Sequence, residues 1–205
     1  MLHIALAKGR IARTVFKRLQ ESGYVFPEYS KDSRKLIFTD EAGNLRVTLV
    51  KSPDIAVYVR RGAADAGIVG NDVLVEDEEQ DVYELLDLGI GRCRMAVAGI
   101  QGHQDVMQKR ILTVASKYPL IARKYFADRF QPIDIIKLNG SVELAPLVGL
   151  SDVIVDIVET GTTLKENGLE AFDYFMNFSA RLICNKVAYK MKHEELNRFM
   201  EAVKE

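Results

Sequence analysis

Between Val153 and Val158 the chain reads Val-Ile-Val-Asp-Ile-Val, apolar at five of six positions. A run this short has the length of a strand, and with both alternating faces apolar it needs cover on both sides. That requirement sets helices above and below a sheet and points to an α/β fold. The remaining sequence repeats the theme. Leu2–Ala7, Ala66–Val69, Val82–Leu88, Arg94–Ala98, Ile111–Ala115, Ile133–Leu138 and Arg181–Val187 read as further short strands. Ile11, Val15 and Leu19 recur at helical spacing up to Gly23, a natural stop, and Leu196, Phe199, Met200 and Val203 give the last helix one apolar face.

Other stretches carry their own signals. Leu36–Phe38 and Leu45–Val50 flank Asp40–Asn44, which predicts a hairpin with a five-residue loop. Ser52-Pro53-Asp54 predicts a helix start with Ser52 as the capping hydroxyl, the helix ending near Gly62. Another helix is expected to open at Pro119, and Ser141–Leu150 reads as a short one. Glu76–Asp81 reads as a solvated acidic stretch. Strand–helix alternation without repeats, low-complexity segments or linkers predicts an α/β protein with mixed, mostly parallel sheets.

Composition excludes several classes. At 205 residues, with 48% hydrophobic and 28% charged residues, the chain can bury a sizeable core. A formal net charge of −1 gives no basic excess for nucleic acid, so any bound anion needs locally placed cations. The apolar start Leu2–Ala7 is too short for an export signal or a membrane span, which leads us to expect a cytoplasmic protein. Cys93 and Cys184 lie in apolar runs and read as reduced core residues, and no Cys/His spacing suggests zinc.

The chemistry concentrates after the buried strand. Val158 is followed by Glu159, Thr160, Gly161, Thr162 and Thr163, then by the helical stretch from Leu164. Free N–H groups at a helix start, a dipole worth roughly 0.3–1 kcal/mol, a glycine permitting close approach and three hydroxyls compose a phosphate cup. Asp156 and Glu159 would repel a phosphate if they faced it, but suit ribose hydroxyls or a magnesium ion on the sugar side. The bland alternative is a threonine-capped turn with no ligand. No Gly-Lys-Ser/Thr phosphate loop is present, and Gly89-Ile90-Gly91 lacks a third glycine because position 94 is arginine.

Asp156–Leu169 resembles the phosphoribosyl-pyrophosphate loop of the ATP phosphoribosyltransferases, which begin histidine biosynthesis. Leu6–Arg10, Gly62–Asp72 and Asn139–Glu143 are similar to three further family segments in the same order, so the likeness runs from about residue 2 to the C-terminus. Two positions depart from the family pattern, Ala7 and Ala56, where proline is common. The resemblance implies a two-lobed fold like type II periplasmic binding proteins, with a cleft between lobes. It places residues 1–90 and 180–205 in the first lobe and 91–179, with the loop, in the second. It further implies a pentosyltransferase of the short form, a homodimer assembling with a regulatory subunit similar to histidyl-tRNA synthetase, and Mg2+ as cofactor.

The implied reaction is attack by adenine N1 of ATP on ribose C1 with release of pyrophosphate. N1 already carries its lone pair, so no strong base is needed, and His3, His103 and His193 are expected to be surface or packed residues. Lys8 and Arg10, at the first strand–helix turn, are the candidates for pyrophosphate or ATP phosphates. Asp72 is either a helix cap or a group facing ribose or metal. Lys51 and Glu143 are candidates for ATP. Asp156, Glu159, Thr160, Gly161, Thr162 and Thr163 are the candidates for phosphoribosyl pyrophosphate. The rivals are an intracellular small-anion sensor or solute-binding protein of the same fold, and a phosphoribosyltransferase acting on a free base.

Overall fold

The computed structural model describes residues 1–30, 33–79 and 81–204. The chain divides into two compact units, Met1–Gly91 with Ser179–Glu205, and Arg92–Phe178. The first unit runs β1 (Leu2–Ala7), α1 (Arg10–Glu21), β2 (Ile37–Thr39), β3 (Leu45–Val50), α2 (Ile55–Arg60), β4 (Ala66–Gly70), α3 (Asn71–Glu76) and β5 (Tyr83–Asp87). The second runs β6 (Cys93–Ile100), β7 (Leu112–Ser116), α4 (Pro119–Ala127), β8 (Ile133–Lys137), α5 (Leu144–Leu147), β9 (Val153–Val158), α6 (Thr162–Glu166) and β10 (Leu169–Phe178). The chain then returns to the first unit as β11 (Ala180–Cys184), α7 (Lys186–Met191) and α8 (His193–Val203).

In the first unit the sheet order is β2-β3-β1-β4-β11-β5, and in the second β10-β6-β9-β7-β8. Both sheets are mixed, as expected. Parallel pairing forms one trio in each, β3-β1-β4 and β9-β7-β8. The other described pairings are antiparallel and slightly outnumber the parallel ones, because β2, β5, β6, β10 and β11 return the chain beside its neighbours without a same-direction crossover.

Strand alternation divides the cores. Leu2, Ile4 and Leu6 pack with Val15, Phe16 and Leu19 of α1 and Leu196, Phe199 and Val203 of α8. Ala5 and Ala7 point the other way, onto Ile55 and Val59 of α2. There α2 sits so close that a Cβ on Gly67 would lie 2.5 Å from Ile55 Cγ2, which fixes glycine in β4. Strand β9 is covered on both faces. Val153 and Val155 meet Ile121 and Phe126 of α4, while Ile154 and Val158 meet Ala145 of α5 and Leu164 of α6. Each such large side chain removed from water contributes about 1.5–3 kcal/mol.

Several sequence expectations are corrected. Ser52 makes no cap bond: it begins a 3-10 turn, Ser52–Asp54, whose N-cap is Lys51, and α2 follows at Ile55. The expected helix over Ser141–Leu150 shrinks to Leu144–Leu147, held short by Ser141 at φ 48° and Gly149 at φ 72°. The late strand stops at Cys184, because the Asn185 side chain accepts from the Ala188 N–H at 2.7 Å and starts α7. The stretch Glu76–Asp81 is more than solvated acid: Asp77 and the Glu79 carbonyl hold Arg60, and Asp81 pairs with Lys186. Its residue 80 lies outside the described residues. Among the described residues, no helix is long and apolar enough to cross a membrane.

Candidate functional site

In parallel strands all C-terminal ends emerge at one sheet edge, where open α/β sheets bind ligands beside a reversal of strand order. In the second unit β7 leads to β8 on one side, and β8 then leads back to β9 on the other. The turn after β9 therefore stands at the reversal. Gly161, with φ 79° and ψ 0°, is the left-handed N-cap of α6. Its conformation turns the chain from strand to helix without side-chain strain. The Thr160 and Thr162 hydroxyls lie 3.0 Å apart, and the Thr162 N–H points at Thr160 Oγ1 at 3.4 Å. Both threonines and Thr163 are exposed, while Leu164 anchors the turn in the core. Since α6 has five residues, the helix dipole expected from the sequence is small, and local N–H and O–H groups supply the donors.

The carboxylates flank this turn. Asp156 is half-buried on β9, on the strand face shared by Ile154 and Val158, and its Oδ1 accepts from the Ile157 N–H at 2.8 Å. Glu159 is exposed directly after the strand. Glu143 is half-buried and precedes α5 without making a side-chain cap bond. Val142, Val158 and Leu164 belong to one apolar cluster, which brings Glu143 and the cup to the same face of this sheet. Just before it, Ser141 has φ 48°, a left-handed non-glycine residue that bends the Asn139–Glu143 segment.

The first unit builds a second such edge. Ala7 pairs with Val50 in parallel register, and the Lys8 N–H donates to the Val50 carbonyl at 3.3 Å. Lys8 and Lys51 thus leave adjacent strands side by side, both exposed. Gly9, at φ 107°, caps α1, and Arg10 is its exposed first residue. Strand β4, on the other side of β1, ends in Gly70, the N-cap of α3. Asp72 does not occupy the N-cap position of α3, which is Gly70, but lies inside the first turn. Its carboxylate folds back over Gly70, where a Cβ would collide with it. The three strand ends thus carry Lys8 and Arg10, Lys51, and Asp72.

One strand end escaped the sequence reading. Strand β7 stops at Ser116, fully buried, whose hydroxyl donates to the Val155 carbonyl at 2.6 Å and accepts from the Tyr118 N–H at 2.8 Å. Lys117 lies between these pinned residues, half-buried, with Nζ 5.5 Å from the Tyr118 ring centroid. The signal was present: an apolar strand, then lysine, then a helix opening on proline, the same order as strand, Lys51 and Pro53.

Shifted titrations lie elsewhere. Burial and the nearby Arg46 lower the pKa of His3, whose Nε2 is 2.7 Å from Thr48 Oγ1, at the opposite end of β1 from Lys8. Burial and a 2.6 Å bond to Asp173 raise that of Tyr125, on α4. A cavity of about 550 Å³ opens where β1 and β3 begin, lined by Leu2, Asp40, Asn44, Leu45 and Arg198. It therefore faces away from the edge carrying Lys8 and Lys51. No cluster of three or more metal-binding side chains occurs among the described residues.

Comparison with known proteins agrees in sequence and in fold. The HisG family, described as ATP phosphoribosyltransferase, matches residues 51–205. An ATP phosphoribosyltransferase of Clostridioides difficile is 51% identical over 204 residues, covering 100% of this chain and 97% of that protein. One from Oceanobacillus iheyensis is 50% identical, covering 94% and 92%. Among solved structures, the ATP phosphoribosyl transferase (HisG:HisZ) complex from Thermotoga maritima matches with a TM-score of 0.84 and 35% identity, covering 99% of this chain and 96% of that one. A Candida albicans protein with the generic periplasmic binding protein fold matches in fold alone, at TM-score 0.64 and 14% identity, over 99% of this chain and 69% of its own. Matched by the family over most of its length and by half-identical relatives from end to end, the chain belongs to the ATP phosphoribosyltransferase family.

Proposed function

We propose that this chain is the catalytic subunit that transfers phosphoribosyl from phosphoribosyl pyrophosphate to N1 of ATP, with the turn Glu159–Thr163 as its sugar-phosphate seat. The observation that carries this assignment is the left-handed Gly161 between Thr160 and Thr162 at the end of the doubly buried β9, in a chain of this family. The 5′-phosphate takes the exposed N–H and hydroxyl groups of the turn, and Asp156 and Glu159 serve the sugar side, meeting the ribose hydroxyls or a metal ion held there. Lys8 and Arg10 receive the negative charge of pyrophosphate and nucleotide. Lys51 and Glu143 belong to the ATP side, and Asp72 to the ribose side.

In the reaction the N1 lone pair forms the new bond to C1 while the C1–O bond to pyrophosphate breaks and its electron pair leaves with pyrophosphate. The nucleophile needs no deprotonation. The work of the protein is orientation and electrostatic stabilisation of the departing charge, the role suited to fixed cations and N–H donors. No cluster of three or more metal-binding side chains occurs among the described residues, which fits a divalent ion held jointly with substrate phosphates rather than an all-protein cage. Asp156 and Glu159 would hold it, Mg2+ being the ion proposed, and it would neutralise phosphate charge.

The proposed setting is the cytoplasm, as a homodimer joined to a regulatory subunit similar to histidyl-tRNA synthetase. Purification from the native cell should recover that second chain. Incubation with phosphoribosyl pyrophosphate, ATP and magnesium should produce the absorbance of an N1-substituted adenine. Ligand binding without product would instead identify an anion sensor, and product only with free nucleobases would identify a different phosphoribosyltransferase.

A further inference from the structure

We propose that Lys117 is a substrate-binding residue that neutralises the sugar monophosphate seated on the neighbouring turn, an inference that rests on the reading of Glu159–Thr163 as the phosphate seat. The donors described in that turn are neutral, and Asp156 and Glu159 carry the same sign as a phosphate. A phosphate dianion there calls for a cation supplied from outside the turn. Strand β7 pairs with β9 in parallel, Ser116 opposite Val155, so Lys117 follows level with Asp156 and β9 runs two residues further toward the same sheet edge before its turn.

The position is fixed on both sides. Ser116 is tied to β9 through the Val155 carbonyl, and Tyr118 is buried in the α4 core. Lys117 thus has little backbone freedom, and its ammonium lies 5.5 Å from the Tyr118 ring centroid. Among the described residues it makes no ion pair. Lys109 and Lys192, toward the opposite ends of the two sheets, are paired with Asp152 and Asp65. Lysine charge is thus satisfied at one end and left available where parallel strands terminate, as for Lys8 and Lys51 in the other unit.

Ribose 5-phosphate, which carries the monophosphate without pyrophosphate, is the probe, with binding measured by calorimetry on the full chain. Lys117→Gln should raise its Kd roughly tenfold or more, the loss expected for a hydrogen bond between charged groups. Lys117→Arg should stay within about threefold of wild type, because the charge remains. Lys124→Gln, on the exposed side of α4, should bind like wild type. Tm should move by no more than about 2 °C in all three, as expected of substitutions that leave the core intact. A Lys117→Gln Kd within twofold of an active wild type overturns the role of Lys117 alone, as does a weakened Kd that merely follows a lost Tm and is not rescued by arginine. Wild-type protein that neither binds ribose 5-phosphate nor forms product overturns the phosphate seat and this proposal together.

Discussion

The hydroxyls of Thr160 and Thr162 meet at 3.0 Å across the left-handed Gly161. The contact holds two small alcohols on one side of a turn whose next residue, Thr163, is also exposed. If that turn seats the sugar phosphate, Thr162→Ala and Thr163→Val should each raise the KM for phosphoribosyl pyrophosphate roughly tenfold. The KM for ATP should stay within about twofold in the same assays. Unchanged values for the sugar in both variants would remove the turn from the binding site.

Gly161→Ala isolates the backbone contribution. An added Cβ would find only Val158 Cγ1 at 3.8 Å, an ordinary contact, so the cost is conformational. Holding alanine at φ 79° should destabilise the chain by about 1–2 kcal/mol in urea unfolding, with a higher KM for the sugar. Full stability and affinity would show that the turn accepts another conformation.

Arg10 stands exposed at the first position of α1. Its proposed work is on charge that develops as pyrophosphate leaves, so Arg10→Ala should lower kcat roughly 100-fold. Thermal unfolding should shift by no more than about 2 °C, since no core packing is lost. An unaltered kcat would return Arg10 to the ordinary surface.

Cys184 gives a pH test independent of catalysis. Burial raises its thiol pKa from 9.0 to about 11, which favours the neutral thiol in the folded chain. The associated stability is complete below pH 9 and is lost as pH rises toward about 11. Native Cys184 should react with an aromatic disulfide at least about tenfold more slowly than in urea, because the thiolate is the reacting form. Equal rates would show that its pocket opens readily.

The elements legible in the sequence were those with an unbroken local pattern. Strands β1, β3, β7, β8 and β9 lie within a residue or two of their apolar runs. The ten-residue β10 was missed because bulges between Ala171 and Asp173, and between Tyr174 and Met176, break its alternation. Helix α7 was missed because its short run, Lys186–Met191, continues an apolar strand, and its beginning depends on the Asn185 cap. Asp77 read only as part of a solvated acidic stretch, and its pairing with Arg60 depends on where α2 and the end of α3 place the two.

By itself the sequence determined where the chain would extend, coil and turn wherever the local pattern was unbroken, because periodicity, glycine and capping chemistry act over a few residues. It also determined the donors of the Glu159–Thr163 turn, which are contiguous. Only tertiary structure decided that Lys8 lies beside Lys51 and that Lys117 follows β7 level with Asp156 of β9. Those neighbours come from the register of parallel strands separated by some forty residues. Register is set by which apolar faces must be buried together, a condition that no local stretch of chain contains.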